Sequence, residues 1–184
     1  ENRTALSTAE ISLAVRRSIG GDSAAFGKIY QHFVVRIYRY VVLQVRNNMV
    51  AEDITEDVFV KAFQSIKSCQ GREDTFSAWL YRIAHNATID HFRIVKRQQD
   101  LNRNLPAGEP VARDDGEVLA QYNETLRVIA SMPPQYRQLL LLKFVEGMSN
   151  EEIAVVMNKS VGNLRVMQMR AMRELRKRYD EGIS

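Results

Sequence analysis

The sequence predicts an all-α protein: two small helical domains joined by a flexible linker, the C-terminal one a four-helix domain with a helix-turn-helix. Three observations lead there. Apolar residues recur every three or four positions through segment after segment, the spacing of one helix face. Period-two alternation is too sparse anywhere to propose a sheet. Between Gln98 and Gly116, QQDLNRNLPAGEPVARDDG, periodicity gives way to Pro106, Gly108, Pro110 and Gly116. The expected partition is residues 1–97, a linker 98–116, and residues 117–184. A flexible chain of that length spans roughly 25 Å root-mean-square and ~60 Å at full stretch, so the two halves could act at separate sites.

Bulk properties narrow the class. A chain of 184 residues suits one medium domain or two small ones. A hydrophobic content of 45% supports real cores, and 26% charge fits a soluble protein. The net charge of +4 is a mild preference for polyanions. Its distribution says more, because Lys159 to Arg178 is far more basic than the average. The lone Cys69 excludes an internal disulfide, argues against a zinc site, and reads as an exposed loop thiol. No run approaches the apolar length of a membrane span and no signal-peptide pattern leads the chain, so no membrane insertion and a cytoplasmic location are expected. Since the first residue is Glu1, residues before it are expected.

The elements follow in order. Ser7 with Glu10 forms a capping box that opens a helix bearing Ile11, Ala14, Val15 and Ile19, ended by Gly20-Gly21. Asp22 caps a second, in which Phe26, Tyr30, Phe33, Ile37 and Tyr40 fall about a turn apart and read as core. Asn47-Asn48 breaks it. A third helix is expected from about Val50 to Ser68, with Ile54, Val58, Ala62 and Ile66 repeating every four residues and Phe59 and Phe63 beside them. Its early turns carry Glu52, Asp53, Glu56 and Asp57. Acids suit a helix N-terminus, although clustered like charges oppose one another. Dipole compensation and an acidic face for a basic partner both account for them. A metal-carboxylate site is the weaker reading, since no Glu-x-x-His pair occurs and His32, His85 and His91 are scattered.

Cys69 to Thr75 reads as a polar loop. Beyond it, FSAWLYRIAHNATIDHFRIVKR gives Phe76, Trp79, Leu80, Ile83 and Ala87 a buried stripe, with Tyr81, Arg82, His85, Asn86, His91, Arg93, Lys96 and Arg97 on the remaining faces. Basic and aromatic residues interleaved in this way suit single-stranded nucleic acid, as they suit a core helix with a wet face. After the linker, Asp115 is expected to cap a helix holding Val118, Tyr122, Leu126 and Ile129. Pro133-Pro134 forces a break. Pro starts the next helix, whose Tyr136, Leu139, Leu140, Leu142 and Phe144 are strongly apolar, up to Gly147.

The last stretch, MSNEEIAVVMNKSVGNLRVMQMRAMRELRKRY, reads as helix, tight turn and longer basic helix. Ser149 and Glu152 form a capping box, Asn158 suits a left-handed backbone at the turn, and Ser160 caps the second helix. That helix carries Arg165, Arg170, Arg173, Arg176, Lys177 and Arg178 against the single acid Glu174. The shape is that of a helix-turn-helix whose second helix enters a major groove; a surface helix with a solvated basic face is the bland alternative.

Taken together, GDSAAFGKIYQHFVVRIYRYV, AEDITEDVFVKAF, FSAWLYRIAHNATIDHFR and MPPQYRQLLLLKFVEGMSNEEIAVVM, in this order around an irregular linker, resemble bacterial sigma factors of the extracytoplasmic-function family. The resemblance implies a sigma region 2 domain, then a region 4 helix-turn-helix domain. It implies a subunit that binds core RNA polymerase and directs it to a two-part promoter, with no catalytic chemistry and no cofactor or metal of its own. Asp53, Glu56, Asp57 and Phe59 would dock on the polymerase. Asn86, Asp90, Arg93, Lys96 and Arg97 would hold the single-stranded minus-ten element. Ser160, Asn163, Arg165, Val166, Met169, Arg170 and Arg173 would read the duplex minus-thirty-five element. An anti-sigma factor is an implied partner. The recognition helix departs from the family's common GTVKSRLHRAR: here it is GNLRVMQMRAM, with Met167 where an arginine is usual and Met169 where a histidine is frequent. Met and Val can touch thymine methyls but cannot make the bidentate guanine contact. That leaves two readings, an unusual promoter sequence or a helix that partly serves a protein partner. The rival functions are a helix-turn-helix regulator that binds an operator independently of polymerase, and a helical hydrolase using the Glu52 to Asp57 acids.

Overall fold

The computed structural model describes residues 6–102 and 119–182, and within them it is helical, with no strand. The helices are α1 (Thr8–Ile19), α2 (Ser23–Val45), α3 (Asn48–Ser65), α4 (Phe76–Asn102), α5 (Glu124–Ser131), α6 (Pro134–Leu140), α7 (Asn150–Met157) and α8 (Val161–Gly182). Local chemistry sets most boundaries. The Ser7–Glu10 and Ser149–Glu152 capping boxes both form, and the Asp22 carboxylate accepts from the Ala25 amide at 3.0 Å. Asn47 caps α3 through the Val50 amide at 3.0 Å, just after Arg46 turns left-handed with φ 54.

Several expectations are corrected. The third helix starts two residues before Val50 and tightens into a 3-10 turn at Ile66–Cys69. The acids at 52–57 therefore lie beyond its first turn, where the helix dipole has weakened. Helix α4 continues to Asn102, five residues past the expected onset of irregular chain. The cap of α5 is Asn123, whose side chain accepts from Leu126 at 3.0 Å. Tyr122 sits in the preceding turn. Asp115, Val118 and most of the expected linker lie outside the described residues.

The N-terminal lobe, α1 to α4, closes around Val15, Ile29, Phe33, Ile37, Val58, Phe76 and Leu80, all essentially inaccessible. The C-terminal lobe, α5 to α8, closes around Ile129, Leu139 to Leu142, Ile153, Val156, Leu164 and Ala171. The two lobes are not merely tethered: α4 packs along α7, α2 meets α6, and one apolar cluster runs through both. This explains the four consecutive buried leucines, Leu139 to Leu142. Four successive helical residues sweep about 300°, so no single neighbouring surface covers them. Helix α8 covers one side and α2 of the other lobe covers the next.

A π-turn over Leu141–Val145 continues from α6, and the Glu146 amide reaches back to the Leu141 carbonyl at 3.0 Å. The extra residue rotates the downstream side chains by about 100° relative to an α-helix. Phe144, expected on the apolar face, is consequently 56% exposed. Glu146 turns inward, and its side chain is 1% exposed. It accepts from Arg36 Nε at 2.9 Å and Arg39 Nη2 at 2.8 Å, both on α2, and from the Tyr81 hydroxyl on α4. Burial first, and then the Glu146 charge, push the Tyr81 hydroxyl well up, so it stays a donor. Below this cluster the buried Arg137 of α6 donates to Gln44 Oε1 at 3.1 Å and to the Ala130 carbonyl at 2.7 Å.

The contact between the lobes can be probed at two residues. Glu146→Ala leaves three donors facing a void, and a broken buried pair costs 3–5 kcal/mol. Arg36 and Arg39 are partly hydrated, so a loss of roughly 2–3 kcal/mol is expected, with a larger radius in small-angle scattering. An unchanged urea midpoint and radius would mean that the lobes do not depend on Glu146. The second residue is His85 of α4, which lies 3.4 Å from the Tyr40 hydroxyl. Burial, and then the charge of Lys159 beyond α7, bring its imidazole down to about 4. Unfolded, it titrates near 6.5. The unfolded chain thus takes the proton first, and the stability His85 confers is complete above about pH 6.5 and lost as pH falls towards 4. Between pH 7 and pH 5 the loss should be about 2 kcal/mol. Unfolding curves of His85→Gln should lack that share of the slope; equal slopes in both proteins would refute it.

Candidate nucleic-acid interface

Two exposed basic faces stand out, one on each lobe. On α4, Asn86, Asp90, Arg93 and Arg97 succeed one another at helical spacing, with Lys96 beside them, and all five are exposed. Arg93 donates to Asp90 at 3.2 Å, an exposed pair that a ligand can displace at little cost. The opposite face of α4 is anchored by Phe76, Leu80, Tyr81, Ala84 and Thr88. Tyr81 and His85, expected on outer faces, are both buried here: each meets Tyr40 of α2, Tyr81 also reaches Glu146, and α7 packs along the same helix. Trp79, expected to be buried, is half-buried beside Phe76, with ring centroids 5.4 Å apart.

The loop before α4 is more ordered than its composition suggests. Two 3-10 turns, Ile66–Cys69 and Glu73–Thr75, flank Gly71, whose φ of 75° suits glycine. Asp74 accepts from Ser12 of α1 at 2.7 Å, fixing the loop to the lobe. Cys69 is 1% exposed, not a loop-surface thiol. Burial, and then the Glu73 charge, push it up to about 11, so it is inert at neutral pH.

The second face is on α8. Asn158 turns the chain in the left-handed conformation, φ 52 and ψ 53. The Ser160 hydroxyl then accepts from the Asn163 amide at 3.2 Å. Leu164 and Ala171 point into the lobe, with Met167 and Leu175 partly buried against it. The other side presents Asn163, Arg165, Val166, Met169, Arg170 and Arg173, every one exposed. The last turns serve the fold instead. Arg178 pairs with Glu174 at 2.8 Å and reaches the Ser131 carbonyl at 3.1 Å, and the Tyr179 hydroxyl donates to Thr125 at 2.7 Å. Arg178, which adds to the basic count of the stretch, is thus a tie to α5.

A third surface lies between α2 and α3. Tyr30, Val34, Val35, Tyr38, Glu52, Thr55 and Glu56 line an open groove. Asp53, Glu56 and Asp57 are exposed beside it. Phe59 is not available there: it is 5% exposed, with its ring against that of Tyr30 at 4.8 Å between centroids. Tyr30 is the exposed aromatic at that edge, 44% accessible. Its helix-turn spacing marks it only as core. Among the described residues no helix is long and apolar enough to cross a membrane.

The chain matches two family models, Sigma-70 region 2 over residues 28–98 and Sigma-70 region 4 over residues 122–175. It is 32% identical over 167 residues to the ECF RNA polymerase sigma factor BldN of Streptomyces coelicolor, covering 88% of this chain and 62% of that protein. It is 31% identical over 169 residues to the ECF RNA polymerase sigma factor SigW of Bacillus subtilis, covering 85% of this chain and 90% of SigW. Among solved structures, CnrH bound to the cytosolic domain of CnrY superposes with a TM-score of 0.69 at 21% identity, covering 94% and 98% of the two chains. The sigma factor RpoE of Bartonella quintana, bound to the anti-sigma factor NepR, gives 0.68 at 18%, covering 84% and 96%. These two share the fold. The chain belongs to the ECF family of RNA polymerase sigma factors.

Proposed function

We propose that this protein is an alternative sigma factor that directs core RNA polymerase to a two-part promoter and carries no catalytic group of its own. The observation that supports this best is the pairing of two exposed basic helix faces, α4 and α8, one in each sigma-70 region. The α4 face, Asn86, Asp90, Arg93, Lys96 and Arg97, would hold the opened minus-ten strand, with cations along the phosphates and bases leaving the stack. The α8 face would lie in the major groove of the minus-thirty-five duplex, its N-terminal turns against base edges. Asp53, Glu56 and Asp57, with Tyr30 in place of the buried Phe59, would dock on a basic surface of the polymerase. Such a protein works where the polymerase does, in the cytoplasm. Control by an anti-sigma factor is in keeping with the solved relative bound to NepR.

Three measurements test this. The purified chain should co-purify with core polymerase at moderate salt and support run-off transcription from a promoter library; failure to co-purify would count decisively against it. Reversing Asp53 and Asp57 to Lys should remove that association while the circular dichroism spectrum stays unchanged, since both side chains are exposed. Retained association would move the docking surface elsewhere. Arg165→Ala or Arg170→Ala should weaken binding to the upstream duplex by roughly 1–3 kcal/mol where the lost contact is to a base. Unchanged footprints in both variants would contradict the groove assignment.

A further inference from the structure

The face that α8 turns outward is mixed in character. Val166 is 49% exposed, Met169 66% and Met172 41%. A shallow depression there is lined by Arg165, Gln168, Met169, Met172 and Arg173. The apolar groups are therefore set among cations. The one nearby acid, Glu174, is held by Arg178 at 2.8 Å and does not neutralise them. A purely apolar partner would leave those arginines desolvated and unpaired, whereas a polyanion with apolar spots satisfies both. Duplex DNA has one apolar group on its major-groove edge, the thymine C5 methyl.

Spacing makes the match quantitative. Val166, Met169, Arg170 and Arg173 lie at positions i, i+3, i+4 and i+7, a single line along the helix. Val166 and Met169 are separated by about 4.5 Å along the axis, against about 3.4 Å between successive base pairs. A helix lying in the groove thus brings these two side chains to neighbouring base pairs. Met169 is unbranched and adapts to a methyl whose position shifts with groove geometry. Val166 is stiffer and fixes the register.

Resting on the sigma-factor reading above, we infer that Val166 and Met169 select adjacent thymines in the minus-thirty-five element by contact with their C5 methyl groups, while the flanking arginines hold the backbone and any neighbouring guanine. The recognition is by burial of methyls, without hydrogen bonds from these two residues.

The test uses holoenzyme assembled from core polymerase and the full chain. A duplex library randomised at the upstream element is enriched for binding. The recovered duplex is then remade with deoxyuridine in place of each thymine, which keeps pairing and hydrogen bonding but removes the methyl. The expected result is an element with two adjacent thymines, each replacement weakening binding about fourfold, the worth of one buried methyl. Met169→Ala, at an exposed position that leaves the fold intact, should weaken the thymine duplex similarly and abolish sensitivity at one position only. Val166→Ala should do the same at the neighbouring position. Enrichment of a duplex with no sensitivity to the methyl overturns this inference alone, and would assign the apolar face to a protein partner. A holoenzyme that enriches no upstream duplex overturns both this inference and the reading it rests on.

Discussion

A carboxylate sealed between two lobes is the constraint on which the rest of this structure depends. An isolated buried charge is costly enough that a protein would sooner protonate or expose it. Glu146 is neither stranded nor singly paired: two guanidinium groups from α2 and the hydroxyl of Tyr81 from α4 converge on its two oxygens. It reaches them only because the π-turn rotates it away from the direction an α-helix would give. Gly147, at φ 69, then lets the chain turn sharply into α7. Thus a local irregularity in the C-terminal lobe exists to satisfy a charge cluster owned mostly by the N-terminal lobe.

The contact is polar at its centre and apolar at its flanks. Arg36, Arg39, Gln44, Arg137 and Glu146 all have good partners in water, so parting the lobes costs less than exposing an equal area of leucine. The run from Leu139 to Leu142 resists parting, since its far side would be left to solvent. The balance of the two describes lobes that dock firmly without fusing. Both basic faces stay uncovered in this arrangement. The buried side of α4 carries Tyr81, Ala84, His85 and Thr88, a different side from Asn86, Asp90 and Arg93. Docking the lobes and holding a nucleic acid are therefore not in direct steric competition on α4.

What the sequence made legible was whatever neighbouring residues decide among themselves. The capping boxes at Ser7 and Ser149, the Asp22 cap and the left-handed Asn158 form because each needs only three or four consecutive residues. The exposed cations Arg165, Arg170 and Arg173 of α8 were equally readable, since the lobe covers that helix from one side only. Positions covered from two directions were not. Tyr81 and His85 fall outside the main apolar stripe of α4, and both meet Tyr40 of α2, with Glu146 of the C-terminal lobe closing over Tyr81. Phe59 sits among the apolar positions of α3 and is given a docking role only by the family resemblance; its ring belongs to the core beside Tyr30. Phe144 obeys the apolar pattern faithfully and is exposed because a π-turn, invisible to a 3.6-residue period, intervenes. The clue that was present and could have been used is the leucine run itself: four apolar residues in succession require cover on all sides, and a small four-helix lobe cannot supply it alone.

The same distinction separates charge from function on α8. Counting cations along the stretch treats Arg165 and Arg178 as equivalent. The structure gives Arg178 a carboxylate, a carbonyl and a hydroxyl within its own lobe, which leaves it little to offer a ligand. Arg165, Arg170 and Arg173 stand on the opposite, solvated side with apolar groups between them. Helix α8 keeps Leu164 and Ala171 inside and turns Met169 out among these cations. Set between Arg165, Arg170 and Arg173, that thioether is an apolar contact which an anionic partner would reach together with the guanidinium groups.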